Sequence, residues 1–127
     1  MKYLLDTHTL IWLVEASPRV SSSIKEKLKH SNQSIYLSSA SLWEIAIKSS
    51  LGKLQLKASF NKLISDLNST DIKILQIESE YLKVITALPW VHKDPFDRLI
   101  ISTALVEGLT IITADENIHK YDVPWIW

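Results

Sequence analysis

Asp94-Pro95-Phe96-Asp97-Arg98, continued by Leu99-Ile100-Ile101-Ser102-Thr103-Ala104-Leu105, is the stretch on which the fold of this chain turns. Asp before Pro is a strong helix start, because the carboxylate caps free N–H groups and proline at the first helical position sacrifices no hydrogen bond. The stretch predicts a helix from Pro95 to near Gly108. At 100° per residue Asp97, Ile100, Ile101, Ala104 and Leu105 share one face, so the side expected to be buried carries a carboxylate in its first turn. A lone charge there is costly. Either Asp97 completes a capping-box-like arrangement favoured by the helix dipole, or it points into a cleft shared with other acids, where a divalent cation offsets the repulsion.

Outward from that helix, strands and helices alternate. Lys2 to Leu5 is a short apolar run ending in Asp6-Thr7, after which Leu10, Ile11 and Val14 take up helical spacing. Pro18 breaks that helix, and Ser23 with Glu26 reads as a capping box opening a second. Asn32 to Ser34 reads as a turn, Ile35 to Leu37 as a second strand, and Leu42 to Lys48 as a helix in which Ser41 and Glu44 form a capping box. Glu44 with Lys48 is also an i,i+4 pair. Gly52 ends that helix, Phe60, Leu63, Ile64 and Leu67 mark the next, and Ile72 to Leu75 is a third strand. Tyr81, Val84, Ile85 and Leu88 give a helix before Pro89, Thr110 to Thr113 a fourth strand, and Val123-Pro124-Trp125 a final edge segment. Strands separated by helices imply right-handed crossovers and a parallel sheet covered on both faces.

The chain has 127 residues, 46% of them hydrophobic, enough to bury a core within one domain spanning 1–127. It has no cysteine, which excludes disulfides and thiolate metal sites and suits a reducing cytoplasm. No apolar run approaches the roughly 18 residues of a membrane span, and Met1 to Asp6 is charged too soon for a signal peptide. A soluble cytoplasmic protein is the expectation. Fourteen basic and fourteen acidic residues cancel, but from Ile45 to Ser65 there are Lys48, Lys53, Lys57 and Lys62 and no acid. Such a group is a solvated helix face or a rim that binds nucleic-acid backbone; Lys48, Lys53 and Lys57 are the candidates for the rim.

Asp6, Glu44, Asp97 and Asp115 each fall at the end of a strand or the start of a helix, and in a parallel sheet those ends share one edge. Each alone passes for a cap. Together they are carboxylates that do not all ionise comfortably without a cation. Oxygen-only ligation selects a hard metal, Mg²⁺ or Mn²⁺, which activates water and stabilises a phosphodiester transition state.

Leu4-Leu5-Asp6-Thr7-His8, Ser41-Leu42-Trp43-Glu44-Ile45, Asp94-Pro95-Phe96-Asp97-Arg98-Leu99-Ile100 and Thr113-Ala114-Asp115 resemble the successive motifs of PIN-domain ribonucleases. In length, order and spacing the chain is most similar to the VapC-type toxins of type II toxin-antitoxin modules. The resemblance covers essentially the whole chain. It implies a three-layer α/β/α domain with a central, mainly parallel sheet of four to five strands, metal-dependent cleavage of RNA, homodimerisation, and inhibition by a cognate antitoxin whose C-terminal segment enters the acidic groove. Matched position by position, the catalytic and metal residues it implies are Asp6, Glu44, Asp97 and Asp115, with Asp6 and Asp97 holding the metal most directly and Glu44 orienting or deprotonating water. Thr7 and Thr113 are implied as supporting hydroxyls, and Asp94 is assigned to the helix cap.

Arg98 follows Asp97 and either steadies the acids or meets a substrate phosphate. His8 and His92 flank the motifs; His30 and His119 have no partner at metal-ligand spacing. Trp12 and Trp43 could stack an unpaired base, though packing in a core or dimer interface is the commoner use. Trp125 and Trp127 are expected to pack back on the sheet. A phosphoryl-accepting receiver domain also gathers acids at strand ends. It fits badly, because Ile77-Glu78 follows the third strand where an acceptor aspartate is needed, and no strand-end lysine follows Thr113. A catalytically silent relative serving as a binding partner is the third alternative.

Overall fold

Every strand among the described residues is short, two to four residues, so the sheet depends on being buried on both sides rather than on strand length. The computed structural model describes residues 1–30 and 34–127, and Asn32 and Gln33 of the expected turn lie outside them. The elements run β1 (Tyr3–Leu5), α1 (Thr7–Val14), α2 (Ser22–Lys29), β2 (Ile35–Ser38), α3 (Ser39–Ser50), α4 (Phe60–Asn68), β3 (Lys73–Leu75), α5 (Ser79–Ile85), α6 (Pro95–Glu107), β4 (Thr110–Ile112), α7 (Glu116–His119) and β5 (Trp125–Ile126). The five strands are ordered β3-β2-β1-β4-β5 and every pair is parallel. The chain therefore winds outward from β1 through β2 to β3, then crosses back to β4 and β5. That reversal opens a crevice beyond the carboxyl ends of β1 and β4, where open α/β sheets bind ligands.

Register sorts the apolar side chains. Leu5, Leu37 and Ile112 are aligned and join Leu10, Ile11, Ile24, Ile45, Leu63 and Leu67 on one face; Leu4 and Ile111 join Ile100, Ile101, Ala104 and Ile118 on the other. Leu4, Leu5, Ile111 and Ile112 are fully buried, each stabilising by about 2 kcal/mol.

The α6 signals act as expected: Asp94 caps the helix by accepting from the Asp97 N–H at 2.9 Å, Pro95 is its first residue, and Gly108 ends it in the left-handed region at φ 67°. Its burial is wider than one face. Every residue from Asp97 to Ala104 is buried, while Leu105, assigned to the buried face, is exposed, because α6 packs against α5 and α3 as well as β4. The buried Ser102 and Thr103 hydroxyls are satisfied by donating back to the Leu99 carbonyl.

Two caps differ from expectation. Ser21, not Ser23, caps α2, and Ser38, not Ser41, caps α3. Serines at 38, 39 and 41 are all competent caps; tertiary packing decides, since starting at Ser39 turns Ala40, Ser41, Glu44 and Ile45 inward. The last strand is Trp125–Ile126, one residue beyond Pro124, which lacks a donor but offers its carbonyl to Ile111.

Candidate active site

β1 ends at Leu5, and the next residue, Asp6, caps α1 with its own carboxylate: Oδ1 accepts from the Thr7 N–H at 2.7 Å and Oδ2 from the Thr113 hydroxyl at 2.8 Å. Thr113 also accepts from the Asp115 N–H at 3.0 Å, so one hydroxyl ties the turn after β4 to the acid after β1. Asp115 caps α7 by accepting from the Asn117 N–H at 2.8 Å.

Glu44 comes in from α3. Its Oε1 accepts from the Thr7 hydroxyl at 2.7 Å, the Ser41 hydroxyl lies 3.0 Å from the same Thr7 oxygen, and Oε2 pairs with Lys48. Because a carboxylate only accepts, the single Thr7 proton goes to Glu44. The sequence expectation of a Ser41–Glu44 capping box is replaced by this buried cluster. The hydrogen bond to Glu44 raises the Lys48 pKa, helped by the charges of Asp94 and Asp97. Lys48 thus faces the acids, whereas Lys53 and Lys57 are exposed beyond the far end of α3, where the Lys57 N–H meets Glu15 at the opposite end of α1 from Asp6.

Asp97, on the first turn of α6, is met by His92 from the preceding loop, with Nε2 3.0 Å from Asp97 Oδ2. His92 Nδ1 lies 2.8 Å from the Tyr121 hydroxyl, which accepts from Arg98 Nη1 at 3.0 Å. His92 thus bridges Asp97 and Tyr121 through its two ring nitrogens, which holds the ring between them. Arg98 is 2% exposed and forms no ion pair among the described residues; it donates to the carbonyls of Ile85, Leu88 and Pro89 and lies under Trp90 at 3.9 Å. Shut off from solvent, it acts on Asp97 through Tyr121 and His92. Sequence reading missed Tyr121, which no spacing rule connects to residues 23 and 29 positions away; the nearest signal was a histidine five residues before a helical acid.

Charge accumulates on Asp97. Burial, then the charges of Asp6, Asp94, Asp115 and Glu44, push its carboxyl up to about 8. Burial also raises Asp6, against the hydrogen bonds of Thr113 and Thr7. Among the described residues no three His, Cys, Asp or Glu side chains form a ready-made metal cage. Mg²⁺ does not require one: it is commonly held by one or two carboxylates, with waters and substrate phosphate completing six oxygens. Two buried acids, each with a carboxylate held by hydrogen-bond partners, fit that mode.

Between Asp6 and Asp115 the site opens into a cleft of about 300 Å³ lined also by His8, Trp12, Arg19 and Ala114. Trp43, 60% exposed, lies edge-on to Phe96 outside the core. Trp127 packs on Trp12, and Trp125 stacks on His119, whose Nε2 meets the Thr113 carbonyl at 2.8 Å.

A family model described as PIN domain matches residues 3–124. Ribonuclease VapC22 of Mycobacterium tuberculosis is 25% identical over 122 residues, covering 95% of this chain and 92% of the relative. Of solved structures, VapBC2 from Rickettsia felis, bound to a DNA fragment from its promoter, has a TM-score of 0.73 at 19% identity, covering 99% of this chain and 98% of the other. FitAcB from Neisseria gonorrhoeae has a TM-score of 0.70 at 19% identity, covering 98% of this chain and 96% of the other. These structures share the fold.

Proposed function

The chain belongs to the PIN-domain family, and from that premise we propose that it is an endoribonuclease dependent on Mg²⁺ or Mn²⁺, and the toxin of a type II toxin-antitoxin pair. What carries the proposal is the convergence of charge on Asp97, which burial and four neighbouring acids hold at about 8. A site that makes its own central carboxylate so hard to ionise is one built around a missing positive charge.

Asp6 and Asp97 would hold the cation, with Asp115 beside them. Bound there, it supplies an acidified water and offsets charge on the scissile phosphate. The chain's own groups do the rest. Thr113 and the Thr7 N–H fix both oxygens of Asp6, and His92 fixes Oδ2 of Asp97, so neither acid needs to reorient when substrate arrives. Glu44, paired with Lys48, orients the attacking water or accepts its proton. Thr7 holds the Glu44 carboxylate in place.

The relative's name, Ribonuclease VapC22, supports RNA as substrate. The VapBC complexes among the structural neighbours support an antitoxin partner, whose segment would enter the acidic groove. Exposed Trp43 and Trp90 support a homodimer. No helix among the described residues is long and apolar enough to cross a membrane, in keeping with a cytoplasmic protein. Purified chain, freed of any co-purifying inhibitor, is expected to cut RNA with Mg²⁺ or Mn²⁺, to stop in EDTA, and to be inactive but folded as Asp97→Asn. RNA left intact by the wild type with either metal refutes the proposal.

A further inference from the structure

The cleft beside Asp6 and Asp115 is aromatic where a metal site has no need to be. Trp12, on α1, is only partly exposed and braced on two sides, by His8 with ring centroids 5.9 Å apart and by Trp127 at 5.6 Å. Arg19 lies over the Trp12 ring at 5.2 Å, is exposed, and forms no ion pair among the described residues. A cationic, planar side chain resting on a fixed indole and sharing a cleft with two acids is an arrangement that takes a flat, electron-rich ring joined to an anion.

We propose that His8, Trp12 and Arg19 form a nucleobase subsite, holding one unpaired base of a single-stranded RNA next to the phosphate presented to Asp6 and Asp115. The proposal rests on the ribonuclease reading above and adds to it a strand preference and a place. The cleft, about 300 Å³, sits at the small end of ligand pockets and has room for one nucleoside. A stacked duplex base offers no free face to Trp12, whereas an unpaired base does. Arg19 covers the indole in the absence of substrate; when a base takes that position the guanidinium is free to pair with the adjoining phosphate, as a planar fork can and a lysine only partly can. His8, exposed at the second position of α1, closes the side of the cleft toward Asp6.

The test uses the full chain and a single-stranded RNA oligonucleotide carrying 2-aminopurine at each position in turn. With Asp97→Asn protein in EDTA, so that neither cleavage nor metal intervenes, one position is expected to lose most of its fluorescence on binding. Adding Trp12→Ala should abolish that quenching and weaken binding about 5- to 100-fold, with Trp12→Phe restoring most of it. Exposed Arg19 and His8 keep the question open to answer if Trp12→Ala unfolds: Arg19→Gln should raise KM for single-stranded RNA several-fold with little change in kcat, and Arg19→Lys should recover only part. If wild type cleaves RNA but Trp12→Ala, Arg19→Gln and His8→Ala leave KM, quenching and the preference for single strands unchanged, or Arg19→Gln and His8→Ala do so where Trp12→Ala does not fold, the subsite is overturned and the ribonuclease stands. The cleft would then be one for a protein segment. If wild type neither binds nor cleaves RNA, both fall together.

Discussion

Metal-free protein should lose stability as the pH rises from 5 to 8, and Asp97 should be the reason. In the unfolded chain this carboxyl ionises near 3.8; in the fold, burial and the charges of Asp6, Asp94, Asp115 and Glu44 hold it at about 8. Between those two values the native state keeps a proton that the unfolded state has released, so stability is greatest below the window and falls as pH rises through it. One proton corresponds to about 1.4 kcal/mol per pH unit, hence on the order of 4 kcal/mol between pH 5 and pH 8. At roughly 4 °C per kcal/mol for a chain of this size, the melting temperature in EDTA should drop by about 15 °C. Asp97→Asn removes this titrating group, leaving the smaller contribution of the raised Asp6, so its melting temperature should fall distinctly less over the same range. A cation binding only the native site at about a hundred times its Kd returns about 2.7 kcal/mol. Mg²⁺ or Mn²⁺ at pH 8 should therefore recover most of the loss in wild type and little in the variant. A wild-type melting temperature independent of pH, or an equal fall in Asp97→Asn, would refute the assignment of the strain to Asp97.

Tyr121→Phe keeps the ring but removes one of the acceptors of Arg98 and the Nδ1 partner of His92; it should cost about 1–2 kcal/mol in urea unfolding and lower metal affinity or activity about tenfold. Unchanged values for both would reduce Tyr121 to packing. Asp94→Ala should cost about 1 kcal/mol by loss of the α6 cap, whereas Asp94→Asn keeps the cap, removes one of the charges raising Asp97, and should move the pH-dependent loss of stability to lower pH. Lys48→Gln strands Glu44 as a buried carboxylate, lowering stability by about 1–3 kcal/mol at pH 7 in EDTA and enlarging the rise produced by Mg²⁺. Were Lys48 only a backbone-binding rim, calorimetry would be unmoved and the salt dependence of RNA binding would flatten instead.

What the sequence disclosed here is what local chemistry decides. Asp94-Pro95 and Gly108 state where α6 begins and ends, because a cap, a missing donor and a left-handed φ are properties of single residues. The four acids were legible as a set because parallel topology sends the ends of β1, β2 and β4 to one edge. The start of α3 was not legible, since Ser38 and Ser41 cap equally well until the sheet requires Ala40 and Ile45 inside. How Arg98 reaches the site was not legible either: one residue along a helix is a turn of 100°, which sends the guanidinium to the carbonyls before α6 and leaves it linked to Asp97 only through Tyr121 and His92. Tyr121 follows α7, and only the folded chain brings its hydroxyl to His92.

Glu44 and Asp97 show why the position of a carboxylate says less than its company. Both are buried, at 3% and 8% exposure, and both lie on helices that contact one another. Glu44 has a lysine and a hydroxyl of its own, which neutralise and orient it before anything binds. Asp97 has His92 on one oxygen and four acids around it, and among the described residues no lysine or arginine pairs with it directly. An incoming metal gains most where the repulsion is greatest and least relieved, which is at Asp97 and its neighbour Asp6 rather than at Glu44. The same asymmetry divides the chemistry: the strained acids are suited to hold a cation, and the one already paired and held in place, to manage a proton.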